Sequence, residues 1–497
     1  MEIELKLALQ PRHTARLRRH PVLHKIKPEQ RLLYSIYFDT PKFDLMRRGI
    51  ALRVRRVGDQ WIQTLKAEAH SVGALSSRPE WEVPVTDGNR PDFSVLPHDA
   101  LDLLDGIKHK YIAPVFITEF ERTTWQVGNN GIQAEVALDT GKIYAGAAYR
   151  DICEVEIELK SGVPVFLFDV ATRLLEQVPL QVEPRSKAER GYILSGAVNP
   201  APIRAIHPVI HGNQTPGEVW SAIMQAALVQ LVSNVPGFLE NAQHIEYLHQ
   251  LRIALRRLQT GVKLAKSLGQ ALPDWDQPLR GAIYGLNSAR DWDVFLNDTW
   301  PDIFGVLGES AADEPIEDAV PVLMNDVAAQ ARQRAQALLR QPAFTQLVLD
   351  IGRSLLTPPV GVPDRNTMAW AGMILDKRWH ILRQRCHGFA GLNAAQRHRA
   401  RIAAKKMRYA AEALAPLYGN KRSHRFITAL ATLQNELGCA NDIRVGIQLL
   451  HAVPKKTILL GYDLGRIHGA LEYKAVRHIG LSDAIWRRLA RSKLFWH

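Results

Sequence analysis

Up to about residue 195 the chain alternates between apolar and polar side chains with a period of two. Ile50 to Val57, Trp61 to Lys66, Glu80 to Val85, Phe116 to Trp125, Ile132 to Leu138 and Ile152 to Leu159 all follow this rule, as strands with one dry and one wet face do. Gly and Pro turns separate the runs, which predicts an antiparallel all-β domain with a few short helices, Pro164 to Gln177 among them. A Pro/Gly-rich stretch from Asn199-Pro200-Ala201-Pro202 to Thr215-Pro216-Gly217 reads as a linker. Beyond it the apolar spacing becomes helical. Trp220 to Leu239, Ile245 to Leu268, Leu279 to Trp300, Ala319 to Leu339, Met368 to Phe389, Ala394 to Tyr418, His424 to Gly438 and Leu464 to Leu494 are the predicted long helices.

The helical part repeats. His249 to Leu258 aligns without gaps on His398 to Met407, and further on Leu286-Asn287-Ser288-Ala289-Arg290-Asp291 matches Leu437-Gly438-Cys439-Ala440-Asn441-Asp442. Trp220 and Trp370 stand at nearly equal distances upstream of the two histidines. Landmarks that keep one offset predict two related helical bundles in tandem, at about 217–345 and 366–497. The expected organisation is a β domain at 1–198, a linker at 199–216 and a helical domain at 217–497.

Composition adds little until charge is located. Of 497 residues, the first 200 hold 27 Lys and Arg against 26 Asp and Glu, whereas the rest hold 36 against 24. The basic excess therefore sits in the helical part and implies a surface that meets polyanions. Cys153, Cys386 and Cys439 are far apart and form no metal-ligand spacing. No apolar run is judged to reach the ~20 residues of a membrane span, and the acidic N-terminus is unlike a signal peptide. A cytoplasmic protein without membrane partners is the expectation.

The chemistry lies in the polar faces of the strands. Glu2, Glu4 and Lys6 alternate with Ile3 and Leu5. Arg53 with Arg55, Thr64 with Lys66, Glu80 with Glu82, and Glu154, Glu156 and Glu158 repeat the pattern. One such face suits a solvated sheet surface. Five of them, with acids and bases nearly balanced, also fit a closed barrel whose lumen is charged. Clustered carboxylates can hold Mg²⁺ or Mn²⁺ while Arg and Lys grip phosphate oxygens, a combination suited to phosphoryl transfer to water.

Glu2-Ile3-Glu4-Leu5-Lys6 resembles the ExExK signature of the CYTH, or triphosphate tunnel metalloenzyme, superfamily. Tyr37-Phe38-Asp39-Thr40-Pro41, Ala51-Leu52-Arg53-Val54-Arg55, Gln63-Thr64-Leu65-Lys66, Arg78-Pro79-Glu80-Trp81-Glu82, Glu121-Arg122-Thr123, the Glu135 to Gly141 run and the Cys153 to Leu159 run follow in that family's order. The resemblance implies an eight-stranded antiparallel β tunnel with covering helices, so the expected class is α+β, that tunnel followed by tandem four-helix bundles. It also implies metal-dependent triphosphate hydrolysis. By motif, Glu2, Glu4, Glu154, Glu156, Glu158 and Asp139 would serve the metal, and Lys6, Arg53, Arg55, Arg122 and Lys187 the phosphates. Lys66, Glu80 and Glu82 would form the catalytic set. Glu119 and Glu121 fall on the opposite strand face from Arg122 and are excluded.

Each repeat also carries a basic stripe at i, i+3, i+7 and i+8. His249, Arg252, Arg256 and Arg257 form the first; His398, Arg401, Lys405 and Lys406, extended by Arg408, form the second. Like charges on one helix face repel by a few tenths of a kcal/mol per pair, so the stripe gains nothing without an anion. Together with Arg290-Asp291-Trp292-Asp293-Val294, Leu433 to Gly438 and Asn441-Asp442, these segments resemble the CHAD domain, which implies binding of long-chain inorganic polyphosphate. The expected function is an inorganic triphosphatase with a polyphosphate-binding module. The alternatives are a non-catalytic polyphosphate-binding protein, and a tunnel enzyme for a nucleoside or thiamine triphosphate, adenylate cyclase included. Nucleic acid is the less favoured polyanion, because aromatic side chains are sparse near the stripes.

Overall fold

The computed structural model describes residues 2–67, 70–72, 75–129, 131–303, 316, 318–357, 366–419, 421–454, 458–477 and 481–497. Its strands are β1 (Glu2–Ala8), β2 (Glu29–Asp39), β3 (Ala51–Val57), β4 (Gln60–Lys66), β5 (His70–Val72), β6 (Leu75–Arg78), β7 (Glu80–Val85), β8 (Ala113–Asn129), β9 (Ile132–Ala145), β10 (Ala148–Ser161) and β11 (Gln181–Val182). They form one sheet in the order β5-β6-β1-β10-β9-β8-β2-β3-β4-β7, with β11 beside β1. Only Pro79 separates β6 from β7, and a proline cannot donate to the ladder. Because β6 pairs with β1 while β7 pairs with β4, the sheet curls into a ring that the chain itself closes at Pro79.

The ring sorts side chains by parity. Leu5, Leu7, Val155 and Ile157 are fully buried on its outer face, where the helix Val165–Leu175 covers β1 and β10. The outer faces of β2, β3 and β4 bury Phe38, Leu52, Val54 and Leu65 in a second cluster with Leu96, Ala100 and Leu104. Inside, part of the ring is dry. Leu33, Tyr37, Phe116, Phe120, Ile143 and Ile152 share strand faces with charged residues and pack with Tyr192 of the helix Lys187–Leu194.

Two compact units result, and they do not follow the chain in order. One comprises Met1–Ile203, Leu228–Glu240 and Leu339–Thr357; the other comprises Arg204–Ala227, Asn241–Leu338 and Pro358–His497. The expected division at 199–216 therefore differs from the packing, since two later segments belong to the unit of the β ring. The helix Pro342–Leu356 packs on Val165–Leu175 and β11. It is absent from the predicted set, although Phe344, Leu347, Val348, Ile351 and Leu355 are spaced as a helix requires.

The second unit is helical, and some predicted helices are subdivided. Leu279 to Trp300 is instead Asp276–Gly285, Asn287–Val294 and a π turn at Phe295–Thr299. The break lies where Arg252 donates to the Leu286 carbonyl (3.3 Å) and the Asn287 side chain (2.7 Å). Of Leu464 to Leu494, the described residues fall in Ile458–Arg477 and Leu481–Ala490, and 478–480 lie outside the described residues. The expectation about membrane spans also needs correction. Pro216–Glu240 has the length and composition to cross a membrane, but 61% of its apolar window is buried inside the protein, as in a core helix.

Gly191 fixes how the helix Lys187–Leu194 enters the ring, because a Cβ there would lie 2.2 Å from the Phe116 ring. Gly191→Ala is expected to cost about 1–3 kcal/mol of stability through overpacking, read as a lower thermal midpoint by calorimetry.

Candidate functional site

The charged strand faces converge on the lumen. A cavity of about 240 Å³ is lined by Glu2, Glu4 and Lys6 from β1, Arg53 and Arg55 from β3, Lys66 from β4, Arg78 from β6, Glu80 and Glu82 from β7, Arg122 from β8, Glu156, Glu158 and Lys160 from β10, and Lys187. Strand register produces this directly. Lys6 faces Glu156 across β1–β10, Glu2 faces Arg78 across β1–β6, and Lys66 faces Glu80 across β4–β7. Glu119 and Glu121 are exposed on the outer surface, and Glu121 pairs with Arg18 at 3.1 Å.

Nearly every acid holds a base, as burial demands. Lys66 Nζ lies 2.8 Å from Glu2 and 2.9 Å from Glu80, and Arg78 bridges Glu2 (3.0 Å) and Glu4 (2.9 Å). Arg53 stands 3.7 Å from Glu80 and 3.6 Å from Glu82, which also accepts from Thr64 Oγ1 at 3.1 Å. Arg122 forks onto Asp139 with two 2.7 Å hydrogen bonds and also meets Glu156. Lys187 reaches Asp139 (2.6 Å) and Glu156 (2.9 Å) and contacts Glu154, which Arg190 also holds.

Arg55 is the exception. Its Nε donates to Ser35 Oγ at 3.0 Å, and no carboxylate within ion-pair distance accompanies it among the described residues. Burial, then the neighbouring Arg53 and Arg122, push its guanidinium down to about 9. Burial would raise the Tyr37 phenol, yet Arg53 and Arg55 outweigh burial and hold it below its ordinary value. The wall formed by β3 is thus electropositive, and its Arg55 is short of an anion. Lys66 is also lowered, first by burial and then by Arg53 and Arg78.

The opposite wall is acidic. Oxygens of Asp139, Glu154 and Glu156 lie within 4.8 Å of one another, and Glu4 stands directly opposite Glu158 in the β1–β10 ladder. Facing like charges destabilise a sheet unless cations offset them, and here Arg78 stands 2.9 Å from Glu4 and Lys160 2.7 Å from Glu158. Burial, and then Glu2 and Glu135 against the opposing pull of Lys160, raise Glu158. Burial would also raise Glu156, but Lys187, Arg122 and Lys6 take it well below the usual range. Carboxylate oxygens suit a hard divalent ion such as Mg²⁺ or Mn²⁺, which here would take the place of the Lys187 ammonium that contacts all three acids.

Arg78, Lys160 and Arg190 are participants that motif reasoning does not include. Lys160 shares the parity of Glu158 on β10, and Arg78 that of Glu80 across Pro79, so alternation could have revealed them. Arg190 follows Lys187 by one helical turn, on a helix whose place in the ring only the fold supplies.

The helical unit holds a different site. Between Ile245–Ser267, Thr367–Arg385 and Ala394–Leu414 lies a groove of about 690 Å³. It is lined by Arg256, Lys263, Lys266, Lys377, Arg378, Arg401, Lys405 and Lys406, with no acid in the lining among the described residues. Burial, then Arg256, Arg401, Arg252 and Arg408, push Lys405 down to about 7. Burial, then Lys406 and Arg378, push Lys263 down to about 8. Four members of the predicted stripes, Arg256, Arg401, Lys405 and Lys406, thus meet here. The others lie apart. His249 is half-buried beside Arg290, Arg252 and Arg408, His398 is exposed, Arg252 is held by Asn287, Arg257 donates to the Ile206 carbonyl at 2.9 Å, and Arg408 pairs with Glu412 at 3.2 Å. Lys263 lies two turns beyond Arg256 on the same face, a spacing visible in sequence. Lys377 and Arg378 come from another helix and gave no such signal.

Comparison with known proteins agrees with this division. An inorganic triphosphatase of Haemophilus influenzae is 36% identical over 194 residues, which is 39% of this chain and 54% of that protein. The chain thus spans about half the length of the curated relative it matches. The crystal structure of the CHAD domain from the plant Ricinus communis superposes with a TM-score of 0.51 at 27% identity, covering 59% of this chain and 98% of that one. Residues 1–192 match the description of the CYTH domain and residues 222–451 that of the CHAD domain. With its charged ring and its basic helical groove in that order, the chain belongs to the proteins that join a CYTH domain to a CHAD domain.

Proposed function

We propose that the ring hydrolyses inorganic triphosphate to diphosphate and phosphate with Mg²⁺ or Mn²⁺, and that the basic groove binds long-chain polyphosphate. The observation that carries the first part is the convergence of Arg53, Arg55 and Arg122 on a lumen that carboxylates of β1 and β10 also line. A polyphosphate oxygen is the anion that an unpaired Arg55 lacks, and planar guanidinium forks suit it. Lys6, Arg53, Arg55, Arg122 and Lys187 bind and orient the phosphate chain. Lys66, kept low in pKa and held between Glu2 and Glu80, positions the attacking water. Glu80 and Glu82 keep Lys66 and Arg53 aimed inward. Glu2, Glu4, Glu154, Glu156, Glu158 and Asp139 are the candidates to hold the ion, which when bound polarises phosphoryl oxygens. Placing cations where charge develops lowers the barrier without a protein nucleophile. The Haemophilus relative, an inorganic triphosphatase, supports this reading over the nucleotide alternatives.

The second part rests on eight groove cations, with no acid in the lining among the described residues. Such an array is repelled by itself and relieved by a polyanion. Polyphosphate supplies charge without bases, matching a groove in which Tyr409 is the one aromatic lining residue.

A phosphate-release panel with triphosphate, ATP, thiamine triphosphate and long-chain polyphosphate is expected to show metal-dependent hydrolysis of triphosphate before the others. Glu4→Gln and Lys66→Ala should each lower kcat/KM by about 10²-fold or more, and wild-type rates in either variant would sink the catalytic assignment.

Polyphosphate binding followed by fluorescence should weaken steeply with salt. Arg256→Ala with Lys405→Ala should lower affinity by about ten-fold or more. Duplex or transfer RNA that outcompetes polyphosphate at equal charge and fixed salt would instead favour nucleic acid.

Lys405 also gives a pH prediction. Folding holds it near 7, whereas an unfolded chain holds lysine near ~10.4. The unfolded state therefore binds more protons between those values, so this group makes stability rise with pH through that window. NMR of ¹³C-methylated protein should show one lysine titrating near 7, lost in Lys405→Met and shifted upward by polyphosphate.

A further inference from the structure

The helix Lys187–Leu194 is fixed at both ends. At its far end Tyr192 donates to Asp39 at 3.0 Å, and Asp39 also accepts from the backbone of Leu45 (2.9 Å) and Met46 (3.0 Å). Its near end is held differently. Arg185, two residues before Lys187, is buried and engages two carboxylates at once. Glu183 receives Nε and Nη2, both at 3.0 Å, and Glu240 receives Nη1 at 3.0 Å and Nη2 at 2.8 Å.

Glu240 does more than complete that fork. The oxygen that accepts from Arg185 Nη2 also accepts from Arg150 Nη2 at 2.6 Å. Arg150 lies on β10, four residues before Glu154. One carboxylate therefore ties the strand bearing Glu154, Glu156 and Glu158 to the segment that delivers Lys187. Burial would raise Glu240, but hydrogen bonds from Arg185 and Arg150 outweigh it, so the group is ionised at neutral pH. It is the last residue of the helix Pro216–Glu240 and lies within the stretch that matches the CHAD domain, yet it belongs to the compact unit of the ring.

We infer that Glu240 is a positioning residue for the tunnel: by bridging Arg150 and Arg185 it sets the distance between the acidic wall and Lys187. The inference rests on the triphosphate reading above. A tunnel of this design then depends on a carboxylate that its own domain, residues 1–192, does not contain.

The test measures KM and kcat for triphosphate with Mg²⁺, and triphosphate affinity by calorimetry, in the full-length chain. Glu240→Gln keeps the side-chain shape but removes the charge that both arginines share. It is expected to raise KM and Kd about ten-fold with kcat within about two-fold. In a Lys187→Met background the same change should alter KM by less than about two-fold, because the residue being positioned is gone. A merely structural role would lower the thermal midpoint alike in both backgrounds and leave KM unmoved, which overturns the inference, as does an equal KM effect in both. If Glu240→Gln does not fold, Arg150→Met decides. It leaves the Arg185 fork intact, and a KM rise of about three-fold that vanishes with Lys187→Met supports the bridge, whereas an unchanged KM refutes it. Wild-type protein that neither binds nor hydrolyses triphosphate overturns the substrate reading and, with it, this role. Wild-type activity with unchanged variants overturns the role alone.

Discussion

Burying charge inside a protein is tolerable only when each charge meets its opposite, and the architecture of the ring follows from that constraint. Burial would raise the Glu2 carboxyl, but Lys66 and Arg78 hold it below its ordinary value. Asp139 and Glu154 are fully buried and depend on Arg122, Lys187 and Arg190. Two of those cations come from a helix, and Lys187 reaches the lumen, so the sheet cannot be considered apart from the layer that anchors Lys187–Leu194. The dry cluster of Phe116, Phe120 and Tyr192, the Asp39 acceptor and the Arg185 fork are the supports of one lysine and one arginine.

The two candidate sites treat like charge in opposite ways. In the ring, acids nearly balance bases, and the shortage of anions is confined to Arg55 and its neighbours. That arrangement is specific, because only a ligand with oxygens at that wall relieves it. In the groove no lining acid among the described residues opposes the cations, and the protein answers by depressing the pKa of Lys405 and Lys263. Such a surface discriminates less by geometry and more by charge density. A short phosphate chain suits the first design and a long one the second.

Parity in a strand and period in a helix are local properties, so they are legible in a sequence. The polar faces of β1, β7 and β10 could be read without a structure, and Glu2, Glu4, Lys6, Glu80, Glu82, Glu156 and Glu158 line the lumen. The same reasoning would have reached Arg78 and Lys160. The stripes of the repeats were equally visible, but a stripe says only which face of a helix is basic. Whether that face lines a groove depends on neighbours, which is why Arg256 and Lys405 meet while Arg257 and His398 turn elsewhere, and why Lys377 and Arg378 gave no warning.

The sequence by itself determined the order of strands and helices, the charged faces, the repeat and the domain resemblance, because each is written in spacing along the chain. The tertiary structure alone decided which charges become partners. Lys187 enters the acidic wall, Pro342–Leu356 joins the ring's covering layer, and Glu240 ties β10 to Arg185 because packing brings together segments 31 to 174 residues apart. Coulombic and hydrogen-bond energies depend on distance in space, and no periodicity along a chain encodes that distance.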